Sequence, residues 1–376
     1  MRIAIVHDHL NQWGGAERVI SALHEIYPQA PIYTVVADPD LVAEHLPNAD
    51  VRTSGLQNWP MAVKKLRWYL PMIPAALEQL DLRGYDVVLS SSSAYAKGII
   101  TQPDTKHICY CHTPTRYLWN DTHVYQDDLV VGRAVKSLLP LYLKRMRLWD
   151  RLAADRVDHF IANSNYIRER IQKYYDKPSD VIYPPVEVDK FESVDNAERG
   201  DYFLSVGRLR PYKKVDVLIE AFNRLGYHLK IIGTGDEMKR LKRMARGNIE
   251  FMGYVSDEEK SKLMSRAQAF LHPQEEDFGI TAVESLAAGT PVLAYGKGGA
   301  EETITPGLNG EYFDKQTASA VIDVVRNFDV NNYNPQEVRE SAKVFDRKRF
   351  QNEIRELVWE IYSNHKSNNK QNETNA

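Results

Sequence analysis

The chain has 376 residues, of which 43% are apolar and 26% charged, with a formal net charge of -3 at pH 7. That length exceeds one ordinary domain and predicts two, each with enough apolar side chain for its own core. The balance of charge gives no global basic excess of the kind a duplex requires, so no nucleic-acid partner is expected, and no run approaches the roughly 18 to 20 apolar residues of a membrane span.

Met1-Arg2-Ile3-Ala4-Ile5-Val6-His7-Asp8 has too short an apolar run for a secretory leader and reads as a first strand. Strands are predicted at 2–8, 31–36, 87–91, 107–111 and 160–162, with helix-period segments between them, the pattern of a parallel sheet with crossover helices. Asn11-Gln12-Trp13-Gly14-Gly15-Ala16-Glu17-Arg18 follows the first strand and opens a helix. Gly14 and Gly15 permit close backbone approach to a ligand, or simply a tight strand-to-helix turn, and the residues alone do not separate the two. Asp38-Pro39-Asp40 has the form of a metal-diphosphate pair, but its proline makes it read as a turn.

Two stretches, 59–80 and 130–151, mix basic with bulky apolar residues: Lys64, Lys65, Arg67 and Trp68 in the first; Lys136, Leu138, Leu139, Lys144, Arg145, Arg147 and Trp149 in the second. They read equally as helices lying on an anionic membrane surface and as packing helices with solvated basic faces. His112 stands at the carboxyl end of a strand in Tyr110-Cys111-His112-Thr113-Pro114, where it could bond a substrate or serve the fold. His107, Cys109 and Cys111 share one strand face, yet three ligands from one rigid strand cannot close a tetrahedron, so no metal site is expected. The two cysteines, Cys109 and Cys111, are too close in sequence for an ordinary disulfide, which places the chain in a reducing cytosol.

Paired prolines at Tyr183-Pro184-Pro185 force extended backbone and mark a hinge. A second strand series then runs through 202–206, 229–232, 249–252, 269–272 and 292–295, giving domains at 1–190 and 191–346, a terminal helix at 347–363 returning toward the first domain, and a disordered polar tail at 364–376. Gly207-Arg208-Leu209-Arg210-Pro211-Tyr212-Lys213-Lys214 follows the first strand of this series, where open α/β sheets bind ligands, and its Arg fork and Lys point charges suit a diphosphate. Gly233-Thr234-Gly235 approaches the dinucleotide fingerprint but lacks the third glycine, which weakens an oxidoreductase reading. Ser256-Asp257-Glu258-Glu259 is a capping box.

The decisive segment is Gln274-Glu275-Glu276-Asp277-Phe278-Gly279-Ile280-Thr281-Ala282-Val283-Glu284. A strand ends near His272 and a helix starts near Gly279, whose first N–H groups suit anionic oxygens. Glu276 would repel a phosphate, so it should face hydroxyl donors, and a sugar offers several.

These motifs together resemble the family 4 retaining glycosyltransferases of GT-B fold, an α/β architecture of two Rossmann-like doubly wound domains facing across a cleft. The resemblance rests on Gly14-Gly15-Ala16-Glu17, on Gly207-Arg208-Leu209 with Lys213, and on Glu276 and Glu284 with seven residues between, and it covers residues 1–362. It implies that Gly14 and Gly15 approach the donor phosphate, that Arg208 and Lys213 neutralise the departing diphosphate, and that Glu276 holds the transferred sugar. It further implies that Glu284 accepts from ribose hydroxyls, that His112 stands beside the reacting sugar, and that backbone N–H groups of Phe278, Gly279 and Ile280 cradle phosphate. Lys213-Lys214 stands where many members have Lys-Gly, and Glu276-Asp277-Phe278-Gly279 where many have Glu-Gly-Phe-Gly. The acidic variant, with the 110–119 segment, looks like a bacterial mannosyltransferase subgroup that uses GDP-mannose.

The resemblance implies front-face transfer with retention, no cofactor and no metal, to a glycan or lipid-linked glycan acceptor in bacterial surface polysaccharide synthesis. The setting expected is cytoplasmic, or peripheral on the inner face of the cytoplasmic membrane. Rival readings are a UDP-sugar donor, a glycan phosphorylase or sugar-nucleotide epimerase on the same fold, and a non-catalytic glycan-binding partner. The last has little need for Glu276, Arg208 and Lys213 together.

Overall fold

The computed structural model is described over residues 1–120, 133–191 and 195–374, without the side chains at 133–137, 197 and 368–374. The chain divides into two compact units, one of Met1–Pro185 with Phe350–Ala376 and one of Val186–Arg349.

In the first unit seven strands form one parallel sheet: β1 Ile3–His7, β2 Ile32–Thr34, β3 Val51–Thr53, β4 Val87–Ser92, β5 Lys106–Cys111, β6 His159–Ala162 and β7 Ser179–Val181, in spatial order β3-β2-β1-β4-β5-β6-β7. β1 and β4 are buried along their whole length, as central strands covered on both faces must be. The second unit repeats the plan with β8 Tyr202–Val206, β9 His228–Ile232, β10 Ile249–Gly253, β11 Phe270–His272, β12 Val292–Tyr295 and β13 Gly310–Phe313, in order β10-β9-β8-β11-β12-β13. Each sheet reverses its strand order once, between β1 and β4 and between β8 and β11, and such a switch point opens a crevice at the carboxyl ends of the strands.

Three strands were not predicted: β3, β7 and β13. All are sheet edges, covered less completely than central strands, so Val51-Arg52-Thr53 and Ser179-Asp180-Val181 carry too few apolar residues to signal a strand. Asp38-Pro39-Asp40 is a helix start and not an isolated turn: Pro39–His45 is helical and the Asp38 carboxylate accepts from the Asp40 N–H at 3.1 Å. The box at Ser256 caps Asp257–Ser265, its hydroxyl accepting from the Glu259 N–H at 3.2 Å.

The final helix runs Arg347–Thr374, so regular backbone reaches Thr374 within the stretch expected to be a disordered tail at 364–376, whose last two residues lie outside the described ones. That stretch is polar but holds neither glycine nor proline, and propagation from a packed helix costs far less than nucleation. Phe350, Ile354 and Val358 recur on one face of this helix and pack in the core of the first unit beside Ile5, Val87 and Tyr110.

Both basic stretches bury one side and expose another. In the first, Leu66, Ile73 and Leu77 join a core cluster while Trp59 and Trp68 are exposed, Trp68 to 65%. In the helix Arg133–Asp155, Leu143 and Met146 point inward, and Leu138, Leu141, Leu148 and Leu152, spaced to share a face, are exposed. The Lys136 side chain lies outside the described residues. No described helix is long and apolar enough to cross a membrane.

Candidate functional site

In the second unit the switch point between β8 and β11 collects most of the expected residues. The segment after β8 is zipped to the end of β9, Gly207 N–H donating to Ile232 at 3.0 Å and Leu209 N–H to Thr234 at 2.9 Å. A short turn, Pro211–Lys213, then sends the Lys213 ammonium to the Glu276 carboxylate, with which it forms an ion pair. Each side chain of this pair is 17% exposed. The cation assigned to phosphate and the acid assigned to sugar therefore meet across the crevice. Arg208, on the same segment, is exposed, whereas Arg210 is engaged by Asp236.

Behind the pair lies a group the sequence did not single out. The Gln274 amide donates to His272 Nδ1 at 3.2 Å and to Glu276 Oε1 at 3.3 Å, which leaves the His272 proton on Nε2. That Nε2 is buried without a hydrogen-bond partner in the structure. Two polar residues at the end of an apolar strand, in Phe270-Leu271-His272-Pro273-Gln274, were the available signal.

Gly279 opens the helix Ile280–Ala287 in a left-handed conformation, φ +90, and a Cβ there would stand 3.2 Å from His272 Nε2. The Phe278 ring is buried, edge-on to Phe345 at 5.3 Å, so only its backbone is placed to meet a ligand. Gly298, at φ +70, crosses the 276–278 turn so closely that a Cβ would fall 2.4 Å from the Glu276 carbonyl oxygen. The next amide, Gly299 N–H, donates to that oxygen at 2.9 Å. The loop after β12 thus holds Glu276 in place, a role with no local signal in the sequence. Glu284 is buried and lies 3.2 Å from the ammonium of Lys260, itself supplied by the helix Asp257–Ser265.

In the first unit the corresponding switch point is held by charge. Asp8, just past β1, accepts four backbone N–H bonds, from Ser93 at 2.7, Ala94 at 2.9, Tyr95 at 2.8 and Ala96 at 2.6 Å, and so shapes the turn after β4. Burial alone would raise its pKa, but His7, His9 and these donors outweigh it and hold the carboxyl below its usual value. Lys97 leaves the same turn and meets Asp150 at 2.6 Å, and both are buried. Gly14 caps the helix Gly15–Ile26, and Gly15 is exposed at its start. His107 bonds Ser90 at 2.8 Å, and Cys109 and Cys111 pack with Phe160 and Tyr175; among the described residues no group of three His, Cys, Asp or Glu is arranged to hold a metal.

His112 is reached by a chain of four side chains. Glu17 lies 3.7 Å from His7 Nε2; His7 Nδ1 lies 3.1 Å from the Ser91 carbonyl and 3.2 Å from its hydroxyl; that hydroxyl lies 2.8 Å from His112 Nε2. A carbonyl only accepts, so His7 Nδ1 carries hydrogen. The Ser91 hydroxyl keeps its own hydrogen and a second lone pair, so it can either donate to His112 Nε2 or accept from it. Burial opposes charge on His7, but the Glu17 bond and the charges of Glu17 and Asp8 raise its pKa nonetheless. Burial, aided by the charge of His7, pushes His112 down to about 4. His112 is therefore neutral near pH 7 and not a base that titrates there.

Burial also pushes His107 and His272 down to about 4. Folded values below the usual 6.5 mean that the unfolded chain binds protons these rings refuse, so stability is expected to fall as pH drops from about 6.5 toward 4. His7 has the opposite sign: its stabilisation is complete below 6.5 and fades as pH rises through its raised value. Burial lowers His9 and His24 as well, so urea unfolding at pH 7 and pH 5 measures five rings against one, and a chain no weaker at pH 5 would contradict the balance.

Comparisons with known proteins identify the family. The family model "Glycosyltransferase Family 4" matches residues 13–190 and "Glycosyl transferases group 1" matches 187–345. A mouse protein, GDP-Man:Man(3)GlcNAc(2)-PP-Dol alpha-1,2-mannosyltransferase, is 31% identical over 361 residues, 79% of this chain and 73% of that one. The chain belongs to glycosyltransferase family 4. An uncharacterised glycosyltransferase of Methanocaldococcus jannaschii is 27% identical over 227 residues, but the match spans only 59% of this chain and 61% of that protein. Among solved structures, Anabaena HepE in complex with UDP and glucose has a TM-score of 0.73 at 18% identity, covering 95% of this chain and 99% of that one. That likeness shows the GT-B fold. The chain is a glycosyltransferase whose relatives include mannosyltransferases at low identity.

Proposed function

We propose that this glycosyltransferase is a retaining, metal-independent hexosyltransferase that moves mannose from GDP-mannose to a glycan or lipid-linked oligosaccharide acceptor in bacterial surface polysaccharide synthesis. The observation that carries the reading is the Lys213–Glu276 pair at the β8/β11 switch point, beside the helix start at Gly279. A diphosphate seated there exchanges with Glu276 for the ammonium, and the released carboxylate turns to hexose hydroxyls. Arg208, Lys213 and the first amides of the helix then stabilise negative charge as the sugar–phosphate bond breaks. The acceptor hydroxyl attacks on the same face, and its proton passes to a phosphate oxygen of the leaving group. His112, neutral near pH 7, suits a hydrogen bond to the sugar better than proton abstraction. The mouse relative's name specifies GDP-mannose, which favours that donor. Exposed Trp59, Trp68 and the leucine face of Arg133–Asp155, beside basic residues, support a peripheral place on an anionic membrane surface.

Thermal shift against GDP-mannose, GDP, UDP-glucose and UDP tests the donor. A ligand at about 100 times its Kd stabilises by about 2.7 kcal/mol, and GDP-mannose is expected to lead. Stabilisation by the uridine ligands alone would remove GDP-mannose. The anomeric configuration of the product, read by NMR with and without a chelator, tests retention and metal independence.

A further inference from the structure

One cavity of the first unit has no part in the donor chemistry above. It measures about 500 Å³ and opens beside the residues that follow β1, with His9, Asn11 and Gln12 on one wall and Lys64, Lys65 and Arg67 on the other. No carboxylate lines it. Among the described residues none of these three cations is ion-paired to an acid, although the chain as a whole carries a net charge of -3.

Isolated surface cations are ordinarily solvated and mean little. Here three, all exposed, stand together on one concave wall, so that their fields add there. The wall is also anchored. Asn11 donates to the Val63 carbonyl at 2.7 Å, tying the basic turn to the end of β1, and Lys65 lies over the Trp68 ring at 4.2 Å. Leu66 and Ile73, buried on either side of Arg67, fix the backbone from beneath. His9 stands on the opposite wall. Cations without counter-charges, gathered on one wall of a cavity that no carboxylate lines, are the elements of an anion site.

We propose that this cavity seats a phosphate or diphosphate carried by the acceptor. The word acceptor rests on the transferase reading; the anion site does not. Lysine point charges tolerate a phosphate in several orientations, and Arg67 can bind it through two parallel N–H groups. Trp68, next to Arg67 on the cavity wall, is exposed, so the group attached to the phosphate leaves toward an apolar rim.

Pyrophosphate binding by calorimetry tests the site without turnover. The measurement is made in an Arg208→Ala/Lys213→Ala background, which removes the diphosphate seat of the second unit, so that failure of the donor assignment and failure of this one give different results. One equivalent of pyrophosphate is expected to bind to the background protein. Adding Lys64→Ala, Lys65→Ala and Arg67→Ala should weaken it by roughly tenfold or more, as expected for lost charge-assisted bonds. The charge-keeping set Lys64→Arg, Lys65→Arg and Arg67→Lys should restore it. Co-flotation with phosphatidylglycerol vesicles, absent with phosphatidylcholine and lost in the alanine set, would identify a lipid as the source of the phosphate. Pyrophosphate binding without flotation would identify a water-soluble phosphorylated acceptor. No binding to the background protein, binding indifferent to the alanine set, or one-for-one displacement of pyrophosphate by GDP would each overturn the proposal.

Discussion

Glu276→Ala is expected to lower transfer by roughly 100- to 1,000-fold or more while leaving GDP binding intact or tighter. The asymmetry follows from the ion pair. Glu276 neutralises Lys213 in the present structure, so its removal frees an ammonium for the diphosphate and costs the nucleotide nothing. The hexose, in contrast, loses the acid expected to accept from its hydroxyls, an interaction that aligns the anomeric carbon at the moment the leaving group departs. Glu276→Gln keeps the shape and accepting oxygen but not the charge and should fall between. Single-turnover transfer and GDP titration on the same preparations separate the two effects. Transfer within about tenfold of the parent would end the assignment of Glu276 to the sugar, and loss of GDP binding in proportion to activity would make it a nucleotide ligand instead.

Asp150→Ala is expected to destabilise the first unit by roughly 3 to 5 kcal/mol, the cost of leaving a buried charge unpaired. Asp150 takes Lys97 at 2.6 Å and the Thr115 hydroxyl at 2.6 Å on one oxygen, and Trp119 Nε1 at 2.7 Å and the Tyr175 hydroxyl at 2.8 Å on the other. All four lone-pair directions of the carboxylate are thus used, and its loss strands an ammonium and three donors at once. The same network ties the segment after His112 to the turn shaped by Asp8, so activity should fall with stability. Replacing both partners, Asp150→Leu with Lys97→Met, should recover part of the loss because no charge remains to be solvated. Thermal unfolding reads the effect as a midpoint lowered by roughly 6 to 20 °C. A single variant within about 1 kcal/mol of the parent would show that water reaches the pair.

Of the first unit's site, the sequence displayed the pieces without their connections. His7, Asp8 and Glu17 stand within a few residues of the diglycine, but nothing local says that His7 points at Ser91. That contact follows from the pairing of β1 with β4, which sets His7 opposite Ser91. The second unit was more legible because its chemistry is compact along the chain: a strand end, an acidic turn and a helix start fall within Phe270 to Glu284, each with a local signal. Even there, Lys260 and Gly298 escaped notice. Lys260 comes from a neighbouring helix, and Gly298 matters only because another loop passes beneath it.

By itself, then, the sequence determined the parallel α/β plan, the restart of the strand series at Tyr202, the helix caps and the types of charge offered at the strand ends, since each depends on residues a few positions apart. Only the tertiary structure decided which charges meet. Lys213 pairs with Glu276, Asp8 caps amides 85 to 88 positions away, and Lys97 finds Asp150, because sheet order brings distant loops to one switch point. Periodicity reports which face of an element is buried; register and strand order, set by the packing of the whole unit, choose its neighbours.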